Sequence, residues 1–387
     1  MKTLKPRTYP ETSKVAAESC CEPEQGTLEK RILEVFVFER NAAQARNRLS
    51  PKGLSLKRAL AAFASAGIGL QHTHSRSRLA RARFRDNGNI RGFGIGSRLI
   101  VSTISLFLLP WSFASPMETL PSGSEGHYDF KEWAGNLVRV WHYVPEGVKA
   151  DTPILFVMHG VRRDGDRYLR QWVPHAKKYD FILVVPEFSN EHFPETAGYN
   201  FGNTITPQGD PVPRERWAFS ALEPIFDDVK ARTGNQSETY NIFGHSAGSQ
   251  FVHRFLYFVP DARVEHAISA NAGWYTMPER GNDFPYGLKG TVVTVEQLRK
   301  NLARPLVILL GTQDTDPNHR SLRRTPEAMA QGRHRFERGH TFYEFAKKQA
   351  AALKVDFGWS IELVEGVAHS NEGMSGPAAA LLYKGSK

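Results

Sequence analysis

Cysteine is nearly missing: the 387 residues hold two, adjacent at Cys20 and Cys21. Neighbouring cysteines rarely bridge each other, and no spaced set of cysteines and histidines follows, so a disulfide scaffold and a structural zinc site are both excluded. Whatever folds here must stand on its hydrophobic core. A basic excess is missing too, from most of the chain. The formal charge is +10, but residues 1–98 carry 19 Lys and Arg against 8 Asp and Glu, which leaves 31 against 32 for residues 99–387. The C-terminal part therefore lacks the electrostatic footprint of a nucleic-acid surface, and no nucleic-acid partner is expected. The basic segment 1–98 is rich in Arg and Ser with little apolar periodicity, a composition that reads as disordered. A phosphate loop is also lacking, because no strand precedes the glycines of GFGIGS at 92–97.

One long apolar run is present. Residues 99–115, LIVSTISLFLLPWSFAS, follow Arg98 and end in small residues, with Ser112 and Ala114 placed as before a leader-peptidase cut. This pattern predicts an exported protein, periplasmic or extracellular, whose effective start lies just upstream of Arg98. The competing readings are an uncleaved signal anchor, which would tether the protein to a membrane, and a core element.

From about residue 127 the texture changes to short apolar runs alternating with amphipathic stretches. Strands are predicted at Leu137–Val144, Pro153–Met158, Phe181–Pro186, Tyr240–Phe243, His266–Ser269, Pro305–Leu310 and Trp359–Val364. Several are apolar nearly throughout, as parallel strands covered on both faces must be. Helices are predicted at Tyr168–Lys178, Arg216–Arg232, Ser246–Phe258, Thr341–Leu353 and Gly376–Tyr383. This alternation predicts one α/β domain over 116–387, with a mostly parallel central sheet flanked by helices and right-handed crossovers. Active sites of such sheets lie beyond the carboxyl ends of the strands.

At one such end stands TYNIFGHSAGS, residues 239–249. A strand runs into Gly244-His245-Ser246-Ala247-Gly248, and Phe251, Phe255 and Phe258 then repeat at helical spacing until Pro260. In a G-x-S-x-G turn the serine takes an unusual backbone angle, and only glycine beside it leaves room for neighbouring backbone. Ser246 is thus a candidate nucleophile; the alternative is a plain helix N-cap. A serine hydroxyl needs a base, and the base needs a carboxylate to hold its tautomer. PLVILLGTQDTD puts Asp314 and Asp316 past one buried strand, and WSIELVEGVAHSNEGM puts His369 past the last. Asp314, three residues after Gly311, is the favoured acid, and Asp316 suits a loop-capping role. For the oxyanion hole the predicted donors are the amides of Ala247 and Val161, the latter just after His159-Gly160. His159 itself reads as structural.

With these motifs in place, the sequence resembles the α/β-hydrolase superfamily, and more narrowly exported bacterial proteins of the polyhydroxybutyrate-depolymerase and feruloyl-esterase-like group. The resemblance rests on VMHGVRRDGDRY, VVPEF, YNIFGHSAGSQFVHRF, ANAGWYTMP, LLGTQDTDP and GVAHS, and covers roughly 127–384. One departure is His159-Gly160-Val161, where depolymerase-like members often carry HGC. The resemblance implies a cofactor-free, two-step ester hydrolysis through an acyl-enzyme, with no metal. The expected partner is an ester substrate. The alternatives are an amidase or peptidase using the same residues and a catalytically silent binding protein. Three loops, 188–213, 271–298 and 317–340, are candidates to border the site. Trp274 and Tyr275 could form an aromatic wall for the substrate or belong to a core cluster. The third loop carries Arg320, Arg323, Arg324, Arg333, Arg335 and Arg338, a set that reads as solvated or ion-paired but would suit an anionic acyl group.

Overall fold

A computed structural model describes residues 118–384. The basic segment 1–98 and the apolar run 99–115 lie outside the described residues, so the export and anchor expectations fall there too.

Eight strands form one sheet: β1 (Glu125–Phe130), β2 (Val138–Tyr143), β3 (Ile154–Met158), β4 (Ile182–Glu187), β5 (Tyr240–His245), β6 (Val264–Ala270), β7 (Leu306–Gly311) and β8 (Trp359–Val364). Their spatial order is β1-β2-β4-β3-β5-β6-β7-β8. The six strands from β4 to β8 run parallel, while β1 and β2 join antiparallel at one edge. The mixed α/β fold expected from the strand and helix alternation is the one found.

Alternation along the strands sorts the core into two layers. Ile154, Phe156 and Met158 of β3 face one layer, and Leu155 and Val157 face the other. The first layer is closed by four helices: α3 (Leu222–Thr233), α4 (Ala247–Phe258), α5 (Val295–Ala303) and α7 (Arg335–Leu353). The second is closed by α1 (Gly165–Tyr179) and α8 (Asn371–Tyr383) through Trp172, Met374 and Tyr383. Two short helices, α2 (Glu195–Gly198) and α6 (Pro326–Ala330), lie in loops. All twelve residues of α4 are buried, as the continuously apolar face and small polar residues of its sequence require of a central helix. Each large side chain so buried contributes about 1.5–3 kcal/mol.

The differences from expectation have local causes. β1 was not predicted because EGHYDF buries only one residue fully; it is an edge strand with one covered face. The helix expected from Arg216 starts at Leu222, because Trp217 is held in an extended conformation with its indole N–H donating to the Val212 carbonyl at 2.7 Å. Helix α5 was missed, although Thr294 and Gln297 form a reciprocal capping box. Helix α8 starts five residues earlier than expected, capped by the Ser370 side chain, which accepts from the Gly373 N–H.

Candidate active site

Strand β5 delivers His245, and the chain turns at once into α4. Ser246, at that turn, has φ 60° and ψ −112°, outside the regions an L-residue prefers. The strain is held by surrounding backbone: the Ser246 N–H donates to the Ala270 carbonyl at 3.0 Å, and its carbonyl accepts from the Gln250 N–H at 3.1 Å. The two flanking glycines have distinct steric reasons. A Cβ on Gly244 would lie 2.2 Å from the Gly248 carbonyl oxygen, and a Cβ on Gly248 would lie 2.0 Å from that of Met158. Helix α4 is thus pressed against the ends of β3 and β5, with its first turn directly behind the serine.

His369 arrives from the loop after β8, one residue before the cap of α8, and Asp314 from the loop after β7. His369 Nε2 lies 3.0 Å from Ser246 Oγ, and His369 Nδ1 lies 2.7 Å from Asp314 Oδ2. A carboxylate only accepts, so the Nδ1–H donates to Asp314 and leaves Nε2 to accept the serine hydroxyl. Three residues expected together from separate strand ends are brought together. Asp314 is the residue at the imidazole; Asp316 instead accepts from the Asn318 N–H within its own loop. Asp314 is buried, and Arg335 Nη1 donates to its second oxygen at 3.4 Å.

The amides of Val161 and Ala247 donate to no protein acceptor among the described residues. Val161 lines the pocket over Ser246, and Ala247 opens α4, where the first-turn N–H groups have no helical partner. His159 is fully buried and structural: its Nε2 accepts from the Phe188 N–H at 3.0 Å, and burial lowers its pKa to about 3. His245, next to the serine, is also held neutral, by burial first and by the neighbouring His369 and Arg335. Its Nδ1 meets the Tyr168 hydroxyl at 3.2 Å, and its ring packs 4.7 Å from that of His369.

The pocket above these residues encloses about 290 Å³. Its wall includes Arg162, Arg167 and Arg320 together with Gln171, Ser321 and Asn371, and no Asp or Glu lines it. Arg167 is paired with Asp164 at 2.7 Å. Arg162 and Arg320 make no ion pair among the described residues, so the cavity carries a net positive field. Of the three loops expected at its border, 317–340 contributes His319, Arg320 and Ser321 to the wall; neither 188–213 nor 271–298 contributes. Arg162, Arg167 and His319 were not anticipated in the site.

The aromatic wall is not at this pocket. Trp274 and Tyr275 are 3% and 0% exposed and line no part of it. Trp274 lies between the guanidinium groups of Arg254 and Arg323, at 4.4 and 4.8 Å from its ring, while Tyr275 stacks on Phe342. Both are core residues, as the sequence also allowed, Tyr275 in the first layer of the main core and Trp274 in a small cluster with Phe201 and Ala328. Two of the six arginines, Arg335 and Arg338, are likewise structural: both are buried, and Arg338 donates to the carbonyls of Gly332, Gly273 and Arg323.

No protein-family model and no curated protein matches the sequence. Solved structures do. Poly(aspartic acid) hydrolase-1 from Sphingomonas sp. KT-1 is 46% identical with a TM-score of 0.67, over 68% of this chain and 100% of its own. The poly(3-hydroxybutyrate) depolymerase LpqC from Bordetella parapertussis is 33% identical with a TM-score of 0.65, over 68% of this chain and 90% of its own.

Proposed function

The chain belongs to the α/β-hydrolase superfamily and is a hydrolase of that fold, and from this premise we propose that it is a serine hydrolase cleaving the acyl bonds of a carboxylate-bearing polymer. The observation that carries the reading is a Ser246–His369–Asp314 relay opening into a cavity with three arginines and no carboxylate. Poly(aspartic acid) fits that field, because each of its units carries an anionic group beside an amide bond. The amide reading, an alternative on sequence grounds, thereby moves ahead of the ester reading. The 33% identity to a polyhydroxybutyrate depolymerase keeps polyester cleavage as the second reading.

In this proposal His369 Nε2 takes the Ser246 proton as Oγ attacks the acyl carbon, and the charge that develops on the acyl oxygen is met by the Val161 and Ala247 N–H groups. Asp314 keeps the imidazole oriented and stabilises its charged form. Collapse expels the amine or alcohol, which receives its proton from His369, and leaves an acyl-serine. Water then repeats the sequence with His369 again as base, releasing the acid and the free hydroxyl. The apolar run 99–115 supports export as the setting for polymer hydrolysis.

The test is product release from poly(aspartic acid) and from polyhydroxybutyrate, with Ser246→Ala alongside. Acid-bearing oligomers from poly(aspartic acid), absent with the variant, are expected. Release from polyhydroxybutyrate alone would favour the second reading, and release equal in wild type and variant would refute both.

A further inference from the structure

His319 sits on the pocket wall with a ring whose proton position is decided by its neighbours. Its Nδ1 faces three donors: Arg335 Nη2 at 3.2 Å, the Ser321 N–H at 3.3 Å and the Ser321 hydroxyl at 3.1 Å. A guanidinium and an amide can only donate, so Nδ1 must be the bare nitrogen and the proton of the neutral ring must be on Nε2. That Nε2–H has no protein acceptor among the described residues. The ring also packs edge-on against His369, with centroids 5.4 Å apart at 65°. The ring is therefore held beside His369 on the wall of the pocket that contains Ser246, with the exposed Arg320 next to it in sequence.

The anchor of this arrangement is Arg335, 1% exposed, whose guanidinium reaches in two directions. Nη1 meets Asp314 Oδ1 at 3.4 Å, and Nη2 meets His319 and, at 2.9 Å, Ser321 Oγ. One planar group thus spaces the acid of the relay from the second histidine, a fork geometry that lysine cannot reproduce. Burial, followed by Arg335 and His369, moves the His319 pKa down, in keeping with a ring that receives rather than donates at Nδ1.

We propose that His319 contacts the substrate directly, donating its Nε2–H to a carboxylate beside the scissile bond, and that Arg335 is the positioning residue that fixes this tautomer. The assignment rests on the reading of the pocket as the site of acyl transfer. It adds a neutral, directional donor to the arginine field, which would select the register of an anionic chain over the serine and not merely its charge.

The experiment uses the full chain and two substrates, poly(aspartic acid) and p-nitrophenyl acetate, which has no carboxylate to offer. His319→Ala should raise KM for poly(aspartic acid) about tenfold, the effect of one hydrogen bond to a charged acceptor, and lower kcat/KM for the acetate by a several-fold smaller factor, since the ring also packs on His369. His319→Gln, which keeps an N–H donor, should recover part of the loss. Labelling by a serine-directed phosphonate at the wild-type rate shows that the variants are folded with the relay intact. An unchanged KM for the polymer, or an equal fall on both substrates, overturns the assignment, since a merely structural ring would act on both alike. If the wild type labels at Ser246 but leaves the polymer intact, the substrate reading fails first and His319 loses its ligand; if wild type cleaves the polymer and His319→Ala does so equally well, only the His319 assignment fails.

Discussion

The elbow at Gly244–Gly248 and the loop at 317–340 border the same pocket and are built on opposite principles. The elbow is a backbone device: two glycines admit a helix against two strand ends, and the strained Ser246 is held by main-chain hydrogen bonds. The loop is a side-chain device seated on the first turn of α7, where Arg335 and Arg338 are buried as spacers whose donors satisfy carbonyls, a carboxylate and a histidine. A backbone device is written in a short motif, whereas a side-chain device depends on partners far along the chain. The two should therefore fail differently when perturbed.

The largest effect is expected at the elbow. Gly248→Ala would drive a Cβ into the Met158 carbonyl, and neither backbone can give way, so we expect a loss of ~4 kcal/mol or more in denaturant unfolding and no measurable hydrolysis. On the loop side, Arg338→Met removes the donors to three carbonyls but leaves the elbow untouched. It should cost about 3 kcal/mol of stability, while the residual folded protein still labels with phosphonate.

Acid acts next, through buried histidines of the sheet and the elbow. His142, His159 and His245 are buried with pKa values lowered by desolvation, to about 4 for His142 and about 3 for His159. Below the unfolded value near 6.5, the unfolded chain binds protons that the native state refuses, so stability falls as pH drops from about 6.5 toward those native values. At pH 5 the loss is up to ~2 kcal/mol for each of His142 and His159. Urea midpoints at pH 7 and pH 5 measure it, and His142→Phe should flatten the dependence. The buried arginines do not titrate in that window and contribute nothing to it.

The smallest effect is expected at the rim. Arg320→Gln removes an exposed pocket charge and should raise KM for an anionic polymer about threefold at low salt, with the difference fading at high ionic strength. An effect that persists in high salt would make Arg320 part of the directional contact and not of the general field.

The same contrast explains what the sequence disclosed. Ser246 and Asp314 were legible because each follows a run that had to be a buried strand, His369 because it follows the last strand-like run of the chain, and all three because strand ends of one sheet face one crevice. The amides of Ala247 and Val161, the proposed oxyanion donors, were drawn from the same geometry. Trp274 and Tyr275 also follow a strand end, yet Trp274 is covered by Arg254 and Arg323, which lie 20 and 49 positions away in the chain, and Tyr275 by Phe342, and no local pattern announces those contacts. His319 and Arg335 were hidden for the same reason: sixteen positions separate them, and the loop between reads as a run of solvated charge. Strand β1 escaped because an edge strand with one covered face has no apolar run to show.

The central claim is that Ser246 is a nucleophile activated by His369, and intact-mass analysis after treatment with a serine-directed phosphonate tests it most directly. One adduct, mapped to Ser246, is expected on the wild-type protein and none on His369→Ala in the same time. No adduct on folded wild-type protein, or an adduct at another serine, would contradict it.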